Sequence, residues 1–172
     1  MPAAISCRTS RRSSWCEGGG LTWKSVSVGR DQQHNGGGWF AAWREARDPV
    51  TGQVTRRYVT LAELLVRLGS FGLGLTWKVR TDHPRLDAAC AALEGASTGV
   101  GIGTLELLAQ AAPDLQTVDG DFRGYSGGEL AVTLREFDST SWDVCTADAR
   151  VLREVRENYP DAAPTPPGDW DM

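Results

Sequence analysis

The chain has 172 residues, 41% of them apolar and 23% charged, with a net charge of −4, and it is long enough to bury one sizeable core. No stretch has the eighteen or so uninterrupted apolar residues of a membrane span, and the first residues lack the apolar segment of a secretion signal. A cytoplasmic protein with no membrane partner is therefore expected. Residues 1–30 carry +4 and the rest −8, of which residues 114–148 hold −6; so acidic a body argues against a nucleic-acid partner.

Residues 1–20 have no periodicity, end in three glycines and read as a flexible basic arm. Residues 21–160 read as a single α+β domain, and residues 161–172, DAAPTPPGDWDM, as a flexible proline-rich acidic tail. Within the tail, Trp170 and Met172 are the residues that would dock a partner. LTWKSVSV at 21–28 predicts a short strand followed by a glycine-rich loop. The tetrapeptide LTWK recurs at 75–78, but its flanks differ and no duplication follows.

Residues 39–59 predict a hairpin, with WFAAWRE and VTRRYV as strands and Asp48, Pro49 and Gly52 in the reversal. Thr60 and Glu63 have the spacing of a capping box. Leu61, Leu64, Leu65 and Leu68 then mark one helical face, and Gly69 supplies the stop. GLTWKVR (74–80) reads as a strand. HPRLDAACAALEG (83–95) reads as a helix with Pro84 in its first turn and Leu86, Ala89, Cys90 and Leu93 inward. After the loop GASTGVGIG, TLELLAQAA (104–112) predicts a helix with Leu105, Leu108, Ala109 and Ala112 inward, ended by Pro113.

Three further strands are expected: LQTV (115–118), ELAVTLREF (129–137) and SWDVCT (141–146), the last two joined by a short link at 138–140. Val151, Leu152, Val155 and Tyr159 share a face of the final helix, closed by Pro160. The sum is an α+β fold, a mostly antiparallel sheet of five or six strands packed on one face by three or four helices. A doubly wound sheet is the alternative, because strands and helices alternate in the middle of the chain.

TVDGDFRGYSGGE at 117–129 is the densest cluster of acids and glycines. Asp119 and Asp121 form a D-x-D pair that can bind a hard cation, with Glu129, Glu136 or Asp138 from neighbouring strands completing a hydrolase or nuclease centre. Against this, the ladder of a calcium loop fails at Arg123 and Tyr125, and only Lys24 and Lys78 are available as catalytic lysines. A glycine-rich connection with solvated acids is the plainer reading of the stretch, and an acidic docking surface the third.

GVGIG at 99–103 lacks the lysine of a phosphate loop and follows helix rather than strand, so no nucleotide cofactor is expected. His34 and His83 are the chain's two histidines, and His83 beside Asp82 and Pro84 suits a helix start better than a base. Cys7, Cys16, Cys90 and Cys145 lack the spacing of a zinc site or a disulfide framework. Along WFAAW, alternation puts Trp39 and Trp43 on one face and Phe40 and Ala42 on the other.

The expectation is a non-catalytic protein-binding domain, of the inhibitor, antitoxin or immunity kind, with a basic protein as partner. Asp119, Asp121, Tyr125, Glu129, Trp39 and Trp43 would form its surface. The alternatives are the metal-dependent hydrolase using Asp119 and Asp121, and a structural subunit of a larger assembly.

Overall fold

A computed structural model of the chain describes residues 36–81, 88–113 and 115–165. The basic arm, the strand expected at 21–28, His34, His83, Pro84, Leu86, Trp170 and Met172 lie outside these residues.

The chain runs β1 (Gly37–Ala41), β2 (Trp43–Arg47), β3 (Val54–Tyr58), α1 (Leu61–Arg67), α2 (Gly69–Leu73), β4 (Thr76–Thr81) and α3 (Ala88–Ala96). It continues as β5 (Ile102–Gly103), α4 (Thr104–Ala111), β6 (Gly120–Ser126), β7 (Glu129–Phe137), β8 (Ser141–Thr146), α5 (Ala149–Asn158) and β9 (Ala163–Pro164). Seven strands form one antiparallel sheet in the order β5-β4-β6-β7-β8-β1-β9, and β2 and β3 form a separate two-stranded ribbon. The fold is thus the α+β class expected, with a larger sheet and, among the described residues, five helices.

Register sorts the sheet into two faces. Trp77, Phe122, Val132, Leu134, Trp142, Val144 and Phe40 fall in phase on one face and are all buried. Leu61, Leu64 and Leu65 of α1, Leu93 of α3, Leu107 of α4 and Val151 and Val155 of α5 close the same core over them. Fully burying such side chains supplies roughly 1.5–3 kcal/mol each. Trp77 and Trp142 also satisfy their indole nitrogens, on Thr104 Oγ1 at 2.8 Å and Val59 O at 2.8 Å.

WFAAWRE is two strands rather than one. The chain breaks at Ala42, fully buried, whose N–H donates to Thr140 O (2.8 Å) and whose carbonyl accepts from Val59 N–H (2.7 Å). β1 therefore joins the large sheet while β2 pairs with β3. The expected alternation still holds across the break, with Phe40 and Ala42 inside.

The strand expected at 115–118 is not formed; the strand is β6, over the acid- and glycine-rich stretch. Its glycines are in place because side chains would not fit. A Cβ on Gly120 would lie 2.6 Å from the Phe122 ring and 2.9 Å from Thr117 Oγ1; one on Gly124 would lie 2.9 Å from Val132 Cγ1 and 3.1 Å from Trp77 Cη2. Packing overrides the low strand propensity of the segment.

Helix α4 turns a different face inward from the one expected. Thr104, Leu107 and Ala111 are buried, whereas Leu105 is exposed. The Thr104 hydroxyl, held between Trp77 Nε1 and the Gly72 carbonyl, fixes the first turn and sets that rotation. In α3, Cys90 and Leu93 are buried as expected, and Ala89 is exposed.

The outer edge of β4 beyond β5 is covered by α3. Val79 N–H donates to Ser97 Oγ at 3.0 Å and Thr81 N–H to Glu94 Oε1, so side chains occupy the ladder positions that an added strand would use.

Candidate functional site

The second face of the sheet carries most of the residues singled out by sequence. Arg80, Asp121, Arg135, Asp143 and Trp39 are successive register partners across β4, β6, β7, β8 and β1. Lys78, Arg123, Thr133, Cys145 and Gly37 form the next row. Lys78, Arg80 and Trp39 are exposed at the margins, while Thr133, Arg135 and Asp143 in the middle are buried.

The described acids of 119–148 consequently do not make one patch. Alternation along β7 sends Glu136 into the core, and β6 and β8 set Asp121 and Asp143 in register with Arg135. Asp121 is held by Arg123, with Nε at 3.1 Å and Nη2 at 2.7 Å. Glu129 is exposed opposite Ser126, roughly 17 Å along the strand from Asp121. Tyr125 shares the face of Asp121, with Lys78 Nζ 5.9 Å from its ring centroid.

Asp119 and Trp43 meet elsewhere, on the β7–β8 turn. Asp138 and Ser139 both adopt left-handed backbone there, with φ of 46° and 52°, a conformation that needs support in non-glycine residues. Asp138 N–H donates to Asp119 Oδ1 at 2.8 Å, Ser139 N–H to Val118 O at 2.8 Å, and Ser139 Oγ to Thr117 O at 2.9 Å. From the other side, Trp43 Nε1 donates to Ser139 O at 2.9 Å. Asp119 thus clamps a turn, and Asp121 and Glu136, on opposite faces of the sheet, cannot converge on one ion. Among the described residues no three His, Cys, Asp or Glu side chains come together as a metal would need.

Two carboxylates matter that the sequence reading left in minor roles. Glu63 accepts from Arg57, from Tyr159 Oη (3.0 Å) and from Arg67, so its carboxylate joins β3, α1 and α5. Burial would raise its pKa, but the hydrogen bonds from Arg57 and Tyr159 and the charges of Arg57 and Arg67 outweigh it, and the net shift is downward. Tyr159 stacks on Phe40 with ring centroids 4.0 Å apart, and the Arg44 guanidinium lies over it at 5.0 Å while pairing with Asp161.

Glu136 has the opposite surroundings. It is 1% exposed, Oε2 accepts from the Thr117 hydroxyl, and Oε1 has no hydrogen-bond partner. Burial pushes its pKa up to about 8, opposed only by the hydrogen bond it accepts from Thr117. The signal was in the sequence, since Glu136 is in phase with Val132 and Leu134. Glu63 carried only a capping signal, which is met at 3.2 Å by its N–H on Thr60 Oγ1; the network of its carboxylate depends on residues far away in the chain.

The chain matches no protein-family model, no curated protein and no solved structure. The site must be read from its own chemistry. Cys145 lies on the second face with its pKa raised by burial and by Asp143, Arg135 acting against them, which makes it a poor nucleophile at neutral pH. Trp39 and Trp43 remain 43% and 37% exposed although each sits on a strand held by hydrogen bonds. Among the described residues no helix is long and apolar enough to cross a membrane.

Proposed function

We propose that the chain is a non-catalytic protein-binding domain whose partner docks against Trp39 and Trp43, with Tyr125, Asp121 and Glu129 at the rim. The observation that supports this is the pair of tryptophans standing exposed on fixed strands. Large rings held rigidly at a surface give contact area at little entropic cost and are common interface anchors. Their Cα atoms are at most about 14 Å apart along the chain, within the span of one interface.

Electrostatic steering takes a smaller part than the sequence suggests, because the acids are dispersed and several are paired. The partner that fits is one with charges of both signs around an apolar centre, and an inhibitor, antitoxin or immunity-type role is one form of such a domain. Asp119 and Asp121 already have partners of their own, so no observation favours the metal-dependent hydrolase.

The test is site-specific photocrosslinking in the native lysate, with the photoreactive residue at position 39, 43 or 129 and a control at exposed Arg153 on α5. One product of the same mass from positions 39 and 43, absent at 153 and lost in a W39A/W43A background for position 129, is expected. An indistinguishable set of products from all four positions would overturn the reading.

A further inference from the structure

The edges of the large sheet are closed by side chains. Val79 and Thr81 of β4 donate to Ser97 Oγ and Glu94 Oε1, and on β1 the Ala41 N–H donates to Asp161 Oδ2 at 2.9 Å, beyond the pairing with β9. The β2–β3 ribbon is built otherwise. Val59 N–H donates to Ala42 O at 2.7 Å and Asp48 N–H to Gln53 O at 2.8 Å. By register, Arg44 with Arg57 and Ala46 with Thr55 are then the hydrogen-bonded pairs between them. The N–H and C=O groups of Val54, Arg56 and Tyr58 therefore point away from β2, and among the described residues they meet no partner. The other edge, on β2, starts against the 138–140 turn, where Ala42 N–H and Trp43 Nε1 are bound to Thr140 O and Ser139 O.

The ribbon is held stiff without being covered. Its base is fixed by the edge-on contact of Trp43 and Tyr58, with ring centroids 5.4 Å apart, and by the ion pairs of Arg44 with Asp161 and Arg57 with Glu63. At the tip, Asp48 Oδ1 accepts from the N–H groups of Val50 and Thr51 at 2.8 and 2.7 Å. Every residue from 47 to 57 is exposed. A two-stranded ribbon gains little from its own contacts in water, and an open edge on it is a template for a further strand.

Charge selects which strand. In the antiparallel register that would use all three β3 residues against a second copy, Arg56 stands opposite its own counterpart, a destabilising pair. Arg56 lies over the Trp43 ring at 5.6 Å and, among the described residues, makes no ion pair. An acid opposite Arg56, with apolar residues beside Val54 and Tyr58, turns the repulsion into attraction. We propose that the free edge of β3 captures an extended acidic peptide segment by strand addition, through the backbone groups of Val54, Arg56 and Tyr58. This deepens the docking reading above, on which it rests for a protein partner.

The experiment pans the full chain against random phage-displayed peptides of about twelve residues, roughly twice a common strand length. The enriched sequences are then measured as synthetic peptides on the wild type, R56P and R56T. Proline at position 56 removes an N–H that β2 does not use, so the ribbon keeps its ladder while the added strand loses a donor. Enriched peptides should carry an acid flanked by β-branched or aromatic residues. R56P should weaken them at least about tenfold, and R56T, which keeps the donor, about fivefold or less. In the complex, N–H exchange at Val54, Arg56 and Tyr58 should slow at least about tenfold, with Thr55 and Arg57 unchanged.

No enrichment, or peptides indifferent to R56P, would overturn strand addition, as would protection at Glu45 and Arg47 in place of the β3 residues. So would a concentration-dependent dimer abolished by R56P, which gives the edge to a second copy. Binding of a random-sequence DNA duplex, lost in R56T and without any selected peptide, would overturn it too by giving the arginine to phosphates. Should R56P fail to fold, the exchange pattern of the wild-type complex decides alone. Peptides lost in W39A/W43A but not in R56P would sink the edge and leave the tryptophan surface standing. A failed crosslink beside R56P-sensitive peptides would do the reverse.

Discussion

Glu63 and Glu136 are the same side chain solved in two ways. Glu63, at the junction of ribbon and helices, is surrounded by two arginines and a tyrosine hydroxyl and is held as an anion. Glu136, in the core of the sheet, has one hydroxyl and, among the described residues, no ion-pair partner, and burial favours its neutral form. Burial acts on both, so burial alone does not decide the charge of a carboxyl group. What decides it is whether donors arrive from elsewhere in the fold. The two sites should accordingly govern opposite ends of the pH–stability curve.

The largest effect is expected between about pH 4.5 and 8, above the window that Glu63 governs. Glu136 has a folded pKa near 8 against an ordinary 4.5, so the folded state binds its proton more tightly than the unfolded state does. Its contribution is complete below about pH 4.5 and is lost as pH rises to the folded value, a fall on the order of 5 kcal/mol. Denaturant melts at stepped pH should show this decline in the wild type and a flat response over the same window in E136M. A wild type equally stable at pH 5 and pH 8.5 would remove the contrast between the two sites.

Next comes Gly120→Ala, which forces a methyl group against the Phe122 ring and Thr117 Oγ1. A loss of about 3 kcal/mol is expected, from overpacking and from the disturbed Thr117–Glu136 contact. Because the hydrogen bond from Thr117 holds the Glu136 pKa down, its loss should extend the decline to higher pH than in the wild type. A loss below about 0.5 kcal/mol would mean that the segment has room to move, against the close packing on Gly120.

Glu63→Gln tests the other site. The folded pKa of Glu63 is lowered, so its stabilisation is present above pH 4.5 and disappears as pH falls through the folded value. The variant should be about 2 kcal/mol less stable at pH 7, with Arg57, Arg67 and Tyr159 sharing one neutral amide oxygen in place of a carboxylate, and its acid limb should be shallower. Were E63Q to alter the alkaline limb instead, the assignment of limbs to residues would be reversed.

How far the sequence announces these features depends on the range over which they are built. The helical faces of α1 and α5 and the β7–β8 hairpin were legible because capping, 3.6-residue spacing and alternation are local. Glu136 was legible in principle, three steps along an alternation already recognised. β6 was not, since glycines and acids mark a connection unless one knows that Phe122, Trp77 and Val132 press on those glycines from other strands. The break at Ala42 and the turn clamp of Asp119 and Trp43 were hidden for the same reason: their partners lie up to 98 residues away, as between Ala42 and Thr140.

The smallest effect is expected at Asp121, the residue the sequence made most conspicuous. Its partner Arg123 has a side chain 41% exposed and Asp121 one of 21%, so solvent screens the pair on its open side. Arg123 is held above its ordinary pKa, chiefly by the hydrogen bond to Asp121. At such exposure, pairs contribute less than about 1 kcal/mol and weaken with salt. Asp121→Asn should therefore cost no more than that at low salt and less at high salt. A loss of several kcal/mol, insensitive to salt, would show that Asp121 serves the fold as Glu63 does. It would also withdraw Asp121 from the rim of the proposed interface, since a side chain committed to the fold is not free to exchange Arg123 for a partner.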